Sequence, residues 1–149
     1  DEGDSDPKIA KTKAGLPSGG GRTVSVFDAL SGQLLGDTGS QLDDMAAKAG
    51  VYPDVRSPNK GSEPEGVVSF DAFGKRLAVA TLERADALAL IDLDQPEQPT
   101  VLQVVGAGVG AGSGLLAPEG LGYVEKGGRH FLITGLEKSG NVALFELVK

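Results

Sequence analysis

The stretch Pro64–Leu93, PEGVVSFDAFGKRLAVATLERADALALIDL, is written a second time at Pro118–Leu147 as PEGLGYVEKGGRHFLITGLEKSGNVALFEL. The offset is 54 residues throughout and no gap is needed. Nine of the thirty positions are identical, among them Pro64/Pro118, Glu65/Glu119, Gly66/Gly120, Glu83/Glu137 and Leu93/Leu147. Most others keep their character, as in Val79/Ile133, Arg84/Lys138, Leu88/Val142 and Ile91/Phe145. Each copy contains three short apolar or alternating runs separated by turn signals such as DAFGK, ERAD, EKGGR and EKSG, the pattern of successive antiparallel strands.

The first copy continues into a fourth run, PTVLQVVG. A repeat of about 40 to 55 residues with four short strands is the signature of a propeller blade. A weaker third copy stands at the start. DEGDSD aligns with LERAD and LEKSG, which places Glu2 beside Glu83 and Glu137; TVSVFDA then aligns with ALALIDL, and GQLLG with TVLQVVG. The expected fold is all-β: propeller-type blades of four-stranded antiparallel sheets in an incomplete ring. The expected division is a partial blade with an N-terminal loop over 1–36, an insertion over 37–63, a blade over 64–106 and a final blade over 107–149. Propellers need about four to eight blades to close. The remaining blades are therefore expected from a longer parent protein, another chain or an envelope protein. The start DEGDSD, with no initiator Met, is read as that of a processed protein or a piece of a longer one.

Outside the repeats, Val24 and Val26 alternate with Ser25 and Phe27 in one strand, and a Ser-Gly turn leads to a second over Gln33–Leu35. SQLDDMAAKAG predicts the one helix, with Ser40 as N-cap, Asp43 and Asp44 in the first turn, Lys48 in the last and Gly50 as the stop. YPDVRSPNKGSEP, with three prolines, is read as loop.

Composition narrows the function. Of 149 residues, 40% are hydrophobic, 23 are Gly and none is Cys. The net charge is −7 and the basic residues form no stripe, which disfavours nucleic acid and anionic membranes as partners. No run of about 20 apolar residues exists to span a membrane.

The repeated acids are the candidate site. Glu65 and Glu119 follow a proline, and Glu83 and Glu137 end a strand, with Glu2 in the third copy. On successive blades such positions ring the propeller axis. Asp4, Glu65, Glu83, Glu119 and Glu137 are thus candidate oxygen ligands for Ca²⁺. The architectural alternative has each Glu accepting backbone N–H bonds or pairing with Arg84, Lys138 or Arg56, and it is favoured, because active sites tend to break repeat symmetry. No catalytic residue is assigned. In DEGDSD the glycine and distal glutamate positions are wrong for an EF-hand, and GAGVGAGSG lacks the helix that a dinucleotide site requires. His130, the one histidine, cannot alone bind zinc and is expected on the surface, in the turn before a strand. No G-x-S-x-G elbow is present.

Taken in order, DEGD, SVFDALSGQLLGDTG, RSPNKGSEPEGV, LERADALALIDLDQPEQP, APEGL and GLEKSGNVALFEL resemble the C-terminal part of the bacterial choice-of-anchor I domain family, related to the mesenchyme-specific cell-surface glycoprotein group. The resemblance covers nearly the whole chain. It implies a propeller of several blades that is secreted, periplasmic or attached to the cell surface, and sometimes joined to phosphoesterase-type domains. Two functions follow as expectations. One is a non-catalytic binding or structural module that contacts protein or surface polymer. The other is a calcium-dependent propeller phosphoesterase, or a domain accompanying one, with the repeated glutamates as metal ligands.

Overall fold

A computed structural model describes residues 22–57, 60–106 and 116–149. Along the chain run β1 (Ser25–Phe27), β2 (Leu34–Asp37), α1 (Gln41–Lys48), a single 3-10 turn (Asp54–Arg56), β3 (Pro64–Ala72), β4 (Lys75–Leu82), β5 (Ala87–Asp92), β6 (Thr100–Gly106), β7 (Pro118–Lys126), β8 (Arg129–Leu136) and β9 (Asn141–Leu147). They form three antiparallel sheets, ordered β1-β2, β3-β4-β5-β6 and β7-β8-β9. The fold is all-β with blade-like sheets that do not close into a ring among the described residues. Glu2, Asp4 and most of the GAGVGAGSG loop lie outside those residues.

The sequence repeat is a structural repeat down to register. Phe70 faces Leu77 across β3 and β4, and Val124 faces Phe131 across β7 and β8. Both first strands carry an irregularity after their proline, between Pro64 and Val67 and between Pro118 and Leu121. The residue before each proline is left-handed, Glu63 at φ 56° and Ala117 at φ 57°, a conformation disfavoured for any side chain with a Cβ. That bend aims the preceding carbonyl at the end of the second strand. The Glu83 N–H donates to the Glu63 carbonyl at 2.9 Å, and the Glu137 N–H donates to that of Ala117 at 2.8 Å. At the opposite end an ion pair repeats, Lys75 with Asp92 at 2.5 Å and Arg129 with Glu146 at 2.6 Å.

The four-stranded sheet and the β7-β8-β9 sheet, which has three strands where the expected blade has four, stack head to tail. One face of the first, carrying Phe70, Leu77, Val79 and Leu88, packs on the second sheet's Leu121, Tyr123, Leu132 and Phe145. Phe70 and Tyr123 stack with ring centroids 4.1 Å apart and planes 4° apart, which adds about 0.5–1.5 kcal/mol beyond area burial. The other face of the first sheet, with Ala78, Ala80, Ala89 and Ile91, is covered by Leu42 and Ala46 of α1 together with Val24 and Val51. Small residues on that face leave room for a helix to lie close. Gln41 fixes the helix to the sheet edge: its side-chain amide donates to the Pro99 carbonyl at 3.1 Å and accepts from the Val101 N–H at 2.9 Å. It thereby occupies the edge of β6 as a neighbouring strand would.

Local details differ from expectation. Ser40 does precede the helix, but its hydroxyl donates to the Asp44 carboxylate at 2.7 Å and makes no capping bond to a backbone N–H. β1 stops at Phe27 because Asp28 turns the chain, accepting from the N–H groups of Leu30 and Ser31 and from the Ser31 hydroxyl. β2 begins at Leu34 and runs on to Asp37. The proline-rich loop contains the 3-10 turn. His130 lies within β8, half-buried, 2.7 Å from the Tyr123 hydroxyl through Nδ1 and edge-on to Phe73. Apolar rings on both sides draw it out of the solvent.

Candidate functional site

The left-handed bend before Pro64 turns Glu63 inward, and the end of β4 turns Glu83 toward it. Glu63 is fully buried and Glu83 is 2% exposed. Bare burial of two carboxylates would cost several kcal/mol each, so cations come with them. Arg84 lies across both: its Nε is 2.5 Å from Glu63 Oε2, and its Nη1 pairs with Glu83 Oε1. Lys60 pairs with the other Glu63 oxygen. The Arg84 contacts are close charge pairs rather than aligned hydrogen bonds, since Glu63 Oε2, Glu83 Oε1 and Arg84 Nε have no partner of hydrogen-bond geometry.

The two carboxyls are pushed in opposite directions. Burial acts to raise Glu63, but the Lys60 hydrogen bond and the Arg84 charge outweigh it and hold the group below the usual carboxylate range. Burial raises Glu83, Arg84 opposes it, and the negative charges of Glu63 and Glu119 add to the rise. One fork of arginine thus serves two acids unequally. Glu63 is the ionised partner and Glu83 the one more ready to hold a proton.

Glu65 stands at the exposed mouth of this pair. Glu63, Glu65 and Glu83 each offer a carboxylate oxygen within 4.8 Å of the others, an all-oxygen donor set of the kind hard cations accept. Arg84 and Lys60 hold two of its members. Glu119 lies near enough for its charge to act on Glu83, although its side chain is exposed. Glu137 is exposed and is not one of this group.

The network is assembled in full on the first repeat only. Ala117 replaces Glu63 and Lys138 replaces Arg84 in the second. Glu63 was missed from the sequence because its repeat mate is an alanine, so alignment of the copies begins one residue too late to include it. The signal that marks it is the break itself, an acid at the one bend position where the copies differ in charge.

Backbone joins the two sheets beside this cluster. The Thr81 hydroxyl accepts from the Gly66 N–H at 2.8 Å and donates to the Glu119 carbonyl at 3.1 Å. Asp86 accepts from the Ala117 N–H at 2.7 Å. Gly66 is required there, since a Cβ on it would sit 2.2 Å from the Glu119 carbonyl oxygen. On the other flank Asp43 accepts from the Ser62 N–H at 3.1 Å and pairs with Arg22 at 3.2 Å. The acid pair therefore sits where α1, the first sheet and the second sheet meet.

No curated protein and no solved structure matches the chain. No helix among the described residues is long and apolar enough to cross a membrane. Residues 4–96 match the choice-of-anchor I domain, a family that points to a cell-surface-associated module. The match takes in β1 to β5 and the whole Glu63–Arg84–Glu83 network, and it ends before the second copy of the repeat, whose kinship rests on its register identity with the first. With more than half of its length matched, the chain belongs to the choice-of-anchor I domain family.

Proposed function

We propose that the chain is a non-catalytic binding and structural module of a bacterial cell-surface propeller. It contacts protein or surface polymer through blade faces and loops. The observation that carries this reading is Arg84, which pairs with both Glu63 and Glu83 from within. Acids used in this way lock the bend before β3 to the end of β4 and so fix where one blade meets the next. A hydrolase would leave its carboxylates open to substrate or metal. The test is hydrolysis of p-nitrophenyl phosphate and bis-p-nitrophenyl phosphate across a calcium titration. Turnover that appears with Ca²⁺ and disappears in Glu65→Gln would sink the proposal.

One observation favours a second reading, in which the same acids take Ca²⁺: the convergence of Glu63, Glu65 and Glu83 within 4.8 Å. Calorimetric titration with Ca²⁺ separates the two. Binding lost in Glu65→Gln supports the metal reading, and no heat above that of the variant supports the architectural one.

A further inference from the structure

The head-to-tail stack has a next position. The face of the first sheet that receives the second carries Phe70, Leu77, Val79, Leu88 and Leu90. Their repeat mates on the second sheet are Val124, Phe131, Ile133, Val142 and Leu144. Register places these on one face, with Val124 opposite Phe131 and Ile133 opposite Leu144. Val142 and Leu144 are 68% and 65% exposed. Their mate Leu88 is buried and Leu90 half-buried. An apolar patch of this kind marks an interaction surface.

Gly120 says what covers it. Its mate Gly66 has no room for a Cβ because the first strand of the next sheet passes over it, with the Glu119 carbonyl oxygen 2.2 Å from the Cβ position. Gly120 has nothing within 4 Å of the same point, and its φ lies outside the left-handed region. Neither crowding nor conformation among the described residues calls for a glycine there. The position is cleared for a backbone running where β7 runs over Gly66.

We infer that this face docks a further blade of the same repeat, head to tail, with that blade's first strand crossing Gly120. The inference rests on the reading of the chain as a propeller module and names the surface through which the propeller continues. A second copy of the chain does not fit: its β1-β2 sheet exposes Phe27, the repeat mate of Phe145, but carries among the described residues no first strand to cross Gly120, and its four-stranded sheet does not offer the partner face. Its equivalent of the Leu121, Leu132 and Phe145 face carries Ala78 and Ile91, already covered by α1 and Val24. The new junction also differs from the one described. Gly135 replaces Thr81 and Gly140 replaces Asp86, so apolar contact holds it without the two polar latches, and the Arg129–Glu146 pair stands at its rim.

The absence of cysteine makes a single introduced thiol a clean probe. Maleimide labelling of Leu144→Cys is compared with that of Leu30→Cys, which is 100% exposed and remote, in the protein at its full natural length. The expected result is labelling at least about 100-fold slower at position 144, the protection of a docked face. Equal rates overturn the inference, and so does protection that vanishes on dilution, which would identify a second copy. Adding Gly120→Val should raise labelling at position 144 at least about tenfold and leave position 30 unchanged, because a crowded backbone position tolerates no branched side chain. Unchanged protection in that variant also overturns it. If Leu144→Cys fails to fold, Val142→Cys carries the same comparison. None of these outcomes depends on phosphate ester turnover, so the functional proposal stands or falls separately.

Discussion

Arg84 is the residue on which the buried acid pair depends. Replacing it with alanine leaves Glu83 without its cation and Glu63 with Lys60 alone, both away from water. Removal of one partner from a buried charge pair costs about 3–5 kcal/mol. For a chain of this size that corresponds to a fall in Tm of about 2–4 °C per kcal/mol, read by calorimetry. A fall no larger than that of an exposed-site control would show that the pairing is weak. The two glutamates should respond to pH in opposite senses. Glu63, held below its ordinary range, contributes stability that is present above that range and lost as pH falls through its folded value. Glu83, pushed above its range, contributes stability that is present at low pH and lost as pH rises through its folded value. The cost of Glu63→Gln should therefore be greatest at neutral pH and shrink on acidification. Glu83→Gln should compare best with the parent at neutral pH and lose that advantage in acid. Tm profiles from pH 7 to about pH 4, which spans the ordinary carboxylate range, show whether the two difference curves slope apart.

At the scale of the element, the crossing of β3 and β7 is set by a missing side chain. Gly66→Ala forces a Cβ against the Glu119 carbonyl. The strands must separate, at a cost of about 1–3 kcal/mol, with loss of the Thr81 bond to Glu119. The matched control is Gly74→Ala, where no atom lies within 4 Å but φ is +79°; it reports backbone strain without inter-strand crowding. Amide exchange at position 66, whose N–H donates to Thr81, distinguishes them, since only the crowded variant should accelerate it. Gln41 makes a second element-scale prediction. Gln41→Ala strips two partners from the β6 edge and should cost about 1–3 kcal/mol, with faster exchange at the Val101 amide. Unchanged exchange there would mean that water substitutes fully for the amide. The hairpin-end Arg129–Glu146 pair, by contrast, is solvent-exposed and should be worth at most about 1 kcal/mol.

At the scale of the whole molecule, stacking in one direction leaves apolar surface at the end of the stack, with β9 paired only to β8 among the described residues. The 149-residue chain by itself should bind a hydrophobic dye and self-associate. Leu144→Lys should reduce both in light scattering and dye fluorescence while moving Tm by no more than about 1–2 °C, the effect of a surface change within about 0.5 kcal/mol. A large fall in Tm would mean that Leu144 is part of the chain's own core.

The sequence by itself determined the number and kind of elements in the repeat, because strand period, turn residues and the Pro-Glu-Gly corner are local properties written twice in register. It also determined α1, which Gly50 stops through its own left-handed backbone. Only the tertiary structure decided which acids work together. Glu83 is written like Glu137, yet one is buried against Arg84 and the other is exposed, because the bend before β3 brings in Glu63 and the bend before β7 brings in Ala117. Nor could repetition alone assign faces: Val79 and Ile133 hold the same place in their strands, and only the direction of stacking buries the first and leaves the second in solvent. Burial belongs to the neighbour as much as to the residue, and the neighbour is chosen by packing across more than fifty residues of chain, beyond the reach of any local pattern.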